Sequence, residues 1–179
     1  MQLTLVRHTS VDVPKGICYG NTDVPLALSF RSEMNLVRQK LEGQFFDAVY
    51  SSPLSRCTKL ACSIFPESQI RIDQRLTELD FGDWEMAEWN SMSETPEGKA
   101  WFADYVNTHC PNGESLLDLM NRSQSFLAAL SGNSFSHVLV FTHAGIIRSM
   151  MSLLQHKTPE EAFNTPLEYG QIVTFNPEP

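Results

Sequence analysis

Four short runs rich in β-branched and other apolar residues, at 3–6, 45–50, 137–141 and 171–175, are separated by longer stretches in which apolar positions recur at helical spacing. That alternation predicts a mainly parallel α/β sheet. Helices are expected over about 28–41, 53–64, 97–106, 115–130 and 145–154. The second has the clearest start: Ser52 suits the N-cap and Pro53 the first helical position, where its missing N–H costs nothing. Behind them Cys57, Leu60, Ala61 and Ile64 form an i, i+3, i+4, i+7 stripe that should face the core. Residues 75–113 break the pattern, because their aromatics, turn formers and acids fit neither period; an insertion or lid over the sheet is expected there. With no repeat, low-complexity tract or linker to divide them, residues 1–179 read as one domain.

At 179 residues such a domain should bury roughly 70% of the surface its unfolded chain exposes. The 13 basic and 21 acidic residues leave a net charge of −8. This argues against partners held by neutralising phosphates, whether nucleic acid or an anionic membrane surface. Any anion site must be local and built by a few arginines. No apolar stretch approaches the roughly 20 residues of a membrane span, and the N-terminal apolar run is too short for a secretory signal. Cys18, Cys57, Cys62 and Cys110 show no C-x-x-C spacing. A soluble, cytoplasmic protein with free thiols is expected, calling for no metal or other cofactor and leaving a homo-oligomer open.

In an open α/β sheet, ligands collect beyond the carboxyl ends of strands, where loops meet helix N-termini with unpaired N–H groups. His8, with Arg7 beside it, follows the run at 3–6. His143 follows the run at 137–141 and opens the segment Ala144-Gly145-Ile146-Ile147-Arg148. Either histidine alone reads as a cap on a nearby carbonyl; two at equivalent strand ends read as a site. Arg56 falls in a first helical turn, where the dipole disfavours a cation by about 0.3 to 1 kcal/mol and a bound anion would relieve the conflict. In isolation a surface ion pair is the preferred explanation. The stretch from Thr77 to Glu85 sets carboxylates among Leu, Phe and Trp, surroundings in which an acid can keep a proton near neutrality and donate it. Chemistry alone leaves Glu78, Asp80 and Glu85 as nearly equal candidates for that donor.

Taken in order, Arg7-His8, Ser52-Pro53-Leu54-Ser55-Arg56, Glu78-Leu79-Asp80-Phe81-Gly82-Asp83-Trp84-Glu85, Asn112-Gly113-Glu114-Ser115 and Thr142-His143-Ala144-Gly145 resemble the blocks of the histidine phosphatase superfamily, over nearly the whole chain. That superfamily includes the cofactor-dependent phosphoglycerate mutases. The resemblance implies a phosphoglycerate mutase-like fold, a three-layer α/β/α sandwich, and a phosphomonoesterase that needs no metal. Carried over residue by residue, it makes His8 the nucleophile, Glu78 the proton donor, and Arg7, Arg56 and His143 the phosphate pocket, with Glu114 and Ala144 near the substrate.

The segment from Arg7 to Leu26 is similar to the bacterial branch assigned as α-ribazole-5′-phosphate phosphatases, which act late in cobalamin assembly. This implies α-ribazole 5′-phosphate or adenosylcobalamin 5′-phosphate as substrate, with contacts from Tyr19, Gly20 and Asn21. The chain departs from the superfamily pattern at Thr9, usually glycine, and at Met86, often glycine. The alternatives are a mutase-like phosphotransferase, a broad-specificity sugar-phosphate or nucleotide phosphatase, and a non-catalytic phospho-ligand module. Beyond Arg7 and Arg56 the candidate loops show no further basic cluster. Trp84, Trp89, Trp101, Phe102 and Tyr105 crowd the expected lid. An aromatic wall would suit a flat benzimidazole, while the four-residue spacing of Trp101 and Tyr105 fits core packing equally.

Overall fold

The computed structural model describes residues 1–176. Five strands form its sheet, β1 (Gln2–Arg7), β2 (Ala48–Ser51), β3 (Ile70–Ile72), β4 (His137–Thr142) and β5 (Ile172–Phe175), in the order β3-β2-β4-β1-β5. The first four are parallel, and β5 closes the β1 edge antiparallel. α1 (Phe30–Leu41) and α2 (Ser55–Ile64) cover one face, and α5 (Leu116–Ser131) and α6 (Ala144–Gln155) the other. The short helices α3 (Trp89–Ser93), α4 (Pro96–Ala103) and α7 (Pro159–Phe163) complete the set. The result is the α/β/α sandwich the sequence resemblance implied.

β1 and β4 run through the middle of the sheet and are buried on both faces, which is why they read as unbroken apolar runs. Leu3, Leu5, Val138 and Val140 meet Leu119 and Phe126 of α5 and Ile147 and Met150 of α6. Val6, Leu139 and Phe141 meet Val37 of α1 and Leu60 and Ala61 of α2. Each such side chain, fully buried, contributes about 1.5 to 3 kcal/mol. A one-residue slip of either strand would reverse its faces, so the register that places the two strand ends is firmly held.

The structure corrects three expectations. β3 was not foreseen, because this edge strand is three residues long with two exposed, too short and too wet to show a period. α2 begins at Ser55 with Leu54 as its N-cap, two residues after the predicted start. Ser52 Oγ accepts from the Leu54 N–H at 3.3 Å in a turn before the helix, and the same oxygen lies 2.8 Å from His143 Nε2. The fourth helix is shorter than expected and ends at Ala103, since Asp104 leaves helical geometry at φ −151°. Residues 75–113 do form an irregular cover, anchored by a small cluster in which Cys18, Trp84, Met92 and Cys110 are buried together. All four cysteines are free. Among the described residues no helix is long and apolar enough to cross a membrane.

Candidate active site

β1 and β4 pair in the register Arg7 to Thr142, so the residues that follow, His8 and His143, emerge side by side at the carboxyl edge of the sheet. Their ring centroids are 5.2 Å apart. His8 is 2% exposed, and His143 and Arg56 are wholly buried. His8 Nδ1 lies 2.8 Å from the Thr9 carbonyl; a carbonyl only accepts, so Nδ1 carries the proton and Nε2 keeps its lone pair. Burial, followed by the Arg56 charge, holds the imidazole pKa well below its ordinary value, with Thr9 opposing and Arg7 adding to the shift. A neutral ring with one nitrogen pinned and the other open is poised as a nucleophile.

Arg56 is inserted behind this pair. Its Nε donates to His143 Nδ1 at 3.2 Å, its Nη1 to the Thr22 carbonyl at 2.8 Å, and its Nη2 to the Gly20 carbonyl. With Nδ1 accepting, neutral His143 carries its proton on Nε2 and donates it to Ser52 Oγ. Burial, then the charge of Arg56, keeps that ring's pKa well below the ordinary histidine value. The Gly20 and Thr22 carbonyls are aimed because Glu85 ties their loop: its carboxylate accepts from the backbone N–H groups of Gly20 at 3.0 Å, Asn21 at 2.8 Å, Thr22 at 3.2 Å and Phe81 at 3.1 Å. Burial pushes the Glu85 pKa up, but these bonds outweigh it and leave the group lowered. One of three candidate acids is thus the anchor of the first loop. Gly20 and Asn21 commit their amides to it, and neither lines the cavity described below.

Glu78 lies over the first turn of α6, where its Oε2 accepts from the Gly145 N–H at 3.1 Å and its Oε1 from the Leu79 N–H at 3.0 Å. A Cβ on residue 145 would come within 2.1 Å of Glu78 Oε1, so any larger residue would push the carboxylate off this position. Asp80, the third candidate acid, accepts from the Gly82 N–H within its own turn. Glu114 holds Arg122 through two bonds of 2.9 Å and accepts from the Asp80 N–H at 3.1 Å. Arg122 in turn donates to the carbonyls of Arg75, Thr77 and Glu78. Glu114 therefore braces the segment that carries Glu78 and does not line the cavity, in place of the substrate contact expected of it.

A cavity of about 410 Å³ opens beside His8, with Arg7, Glu78, Tyr19 and Ala144 also in its wall; Arg56 and His143, wholly buried, do not line it and reach it only past His8. Of the lid aromatics, Trp89, Trp101 and Tyr105 line it, whereas Trp84 is buried in the lid core and Phe102 is 48% exposed. Trp101 also packs edge-on against Trp84 and Phe102, so one ring belongs to both the lid core and the cavity wall. Arg7 donates Nη1 to the Leu167 carbonyl at 2.5 Å, and its Nε is buried without a partner.

Arg148, which the sequence reading passed over, lines the cavity too. Its Nε and Nη2 reach the Thr165 carbonyl at 3.2 and 3.1 Å, and among the described residues no carboxylate pairs with it. Helical spacing could have found it, since Ala144, Gly145 and Arg148 stand one turn apart on one face.

The family model of the histidine phosphatase superfamily (branch 1) matches residues 3–179. The chain is 30% identical over 183 residues to a Hydrogenobacter thermophilus protein that carries a phosphoserine phosphatase name, covering 99% of this chain and 90% of that one. It is 28% identical over 177 residues to the adenosylcobalamin/alpha-ribazole phosphatase of Escherichia coli (strain K12), covering 95% and 87%. The solved structure of the alpha-ribazole phosphatase from Shigella flexneri superposes with a TM-score of 0.89 at 24% identity, covering 98% of this chain and 90% of that one. At that identity the likeness speaks for the fold alone.

Proposed function

Because the chain belongs to the histidine phosphatase superfamily, branch 1, and is a phosphatase enzyme, we propose that it hydrolyses small phosphomonoesters through a phosphohistidine on His8, without a metal. His8 Nε2 attacks phosphorus in line with the ester oxygen. The N–P bond forms as the P–O bond breaks, and the departing alkoxide takes a proton from Glu78. Water then attacks the phosphohistidine and gives a proton to the Glu78 carboxylate, and the N–P bond breaks to release phosphate and neutral His8. Arginine forks suit the charge that spreads over the phosphoryl oxygens. Of five N–H groups on each, the protein pairs one on Arg7 and three on Arg56. His143 adds a donor when its Nε2–H exchanges Ser52 for a phosphoryl oxygen.

The observation that carries this reading is the pinned tautomer of His8, which leaves Nε2 unprotonated in a cavity wall that also holds Arg7, whose Nε is unpartnered. Acid quenching during turnover should trap a phosphoryl adduct that is labile in acid and stable in base. His8→Ala should show neither adduct nor phosphate release; an adduct that persists in that variant would contradict the scheme.

For the substrate, the Trp89 and Trp101 rings beside the nucleophile support an ester with a flat heteroaromatic group, α-ribazole 5′-phosphate or adenosylcobalamin 5′-phosphate. A second reading rests on Arg148, which meets no carboxylate among the described residues and in the same wall suits an ester whose alcohol part bears a carboxylate, such as phosphoserine. A kcat/KM panel separates them. A preference of about tenfold, or 1.4 kcal/mol in the transition state, assigns the better substrate, and flat rates across the panel would remove both assignments.

A further inference from the structure

Tyr169 takes no part in the chemistry above, yet it stands over it. Residues 168–171 make a tight turn, with the Gln171 N–H donating to the Glu168 carbonyl at 3.2 Å and Gly170 at φ +66°, a left-handed position that favours glycine. The turn is fastened to the end of β1 at three points. The Gly170 N–H donates to the His8 carbonyl at 3.1 Å, the Arg7 N–H to the Gln171 carbonyl at 2.9 Å, and Arg7 Nη1 to the Leu167 carbonyl at 2.5 Å. So held, the turn lays the Tyr169 ring under the Arg7 guanidinium, whose Cζ lies 4.0 Å from the ring centroid, a separation that suits stacking of the two planes, with the His8 ring 5.6 Å away. The Tyr169 hydroxyl meets that of Tyr19 at 2.6 Å, across 150 positions of sequence, and Arg56 Cζ lies 5.6 Å from the Tyr19 ring. The two phenols therefore span the site above both guanidinium groups and the nucleophile.

We propose that Tyr169, through its ring on Arg7 and its hydroxyl on Tyr19, is a positioning residue that closes the phosphoryl pocket and turns the edge of Arg7, Nε included, toward the phosphate. This rests on the phosphatase reading above. Guanidinium donors lie in the plane of the group, so a partner that holds Arg7 by its face leaves the edge free and limits its swing. The ester then enters through the aromatic cavity, and closure on the other side keeps water from weakening the charges within.

Three variants of the full chain test this: Tyr169→Ala, Tyr169→Leu and Tyr169→Phe, with folding checked by thermal unfolding. Tyr169 is 38% exposed, so truncation opens no core cavity. Orthovanadate binding is measured by calorimetry, and kcat/KM on p-nitrophenyl phosphate is followed against pH. Groups facing His8 are Arg7 from β1, Arg56 from α2, His143 before α6, Glu78 across the cavity, and Tyr19 and Tyr169 above. Loss of the ring wets His8 and relieves the burial that chiefly lowers its pKa, so the acid limb moves to higher pH in the Ala and Leu variants. Both should bind vanadate about tenfold more weakly, while Phe keeps ring and cover and stays within about threefold of wild type. Wild-type binding and an unmoved acid limb in Ala and Leu, or a Phe variant as impaired as Ala, overturn the proposal while wild-type turnover leaves the phosphatase reading standing. A wild type that neither binds vanadate nor releases phosphate overturns that reading and the proposal with it.

Discussion

Glu85→Gln would test whether the catalytic pocket depends on one carboxylate that touches no substrate. Each Glu85 oxygen accepts two backbone N–H groups, Oε1 from Asn21 and Phe81 and Oε2 from Gly20 and Thr22. Glutamine keeps one oxygen and turns an NH₂ against the other two donors. Hydrogen bonds to a charged group contribute about 1.5 to 3 kcal/mol each. With two lost and solvent screening part of the charge at this half-buried site, the variant should be about 2 to 4 kcal/mol less stable. For a urea slope of about 2 kcal/mol per molar, the midpoint falls by roughly 1 to 2 M at pH 7. The Gly20 and Thr22 carbonyls then lose their aim, Arg56 loosens behind His143, and kcat/KM drops by up to about 10²-fold. The pH dependence has a definite sign. The folded-state pKa of Glu85 is lowered, despite burial, by its N–H bonds. Its stabilisation is complete above the unfolded carboxylate value of about 4.3 and fades as the pH falls through the folded value. The gap between wild type and variant should therefore stay constant from neutrality to about pH 6 and close in acid. An unchanged midpoint at pH 7, or a gap of constant width through the acid range, would refute the reasoning.

The two buried histidines predict acid sensitivity of the opposite origin. His8 and His143 are held neutral, so the unfolded chain takes up their protons first, below about pH 6.5, and each removes up to about 1.4 kcal/mol of stability per pH unit until its folded pKa is reached. Urea midpoints should fall between pH 7.5 and 5.5, while kcat/KM keeps its acid limb below the ordinary histidine value; a limb at or above that value would deny His8 its neutral role. Met86 lies at φ +64° and is 47% exposed, a conformation that costs an L residue roughly 1 to 2 kcal/mol. Met86→Gly should regain about 1 kcal/mol after glycine's extra unfolded freedom is subtracted, raising Tm by roughly 2 to 4 °C. Glu78→Gln should slow alkyl phosphates by about 10² to 10⁴-fold and p-nitrophenyl phosphate far less, because a good leaving group needs no proton. Equal losses on both would take the donor role from Glu78.

The central strands, the helices on either side and the two strand-end histidines could be read from the amino-acid order alone, since hydrophobic period and strand-to-helix succession are local properties of a chain. So could the polar inventory, down to Arg7, Arg56 and three rival acids. Residue chemistry left their division of labour open, and only the family resemblance singled out Glu78 among the acids. Glu78, Asp80 and Glu85 are chemically alike and close in sequence, and only distant partners separate them: Gly145 under the first, and the amides of residues 20–22 on the last. Arg148 and Tyr169 stayed hidden for the same reason, one needing the cavity wall and the other a turn pinned to β1 before its position meant anything. Side-chain identity sets which bonds a residue can make, but burial and long-range contact decide which of them it does make.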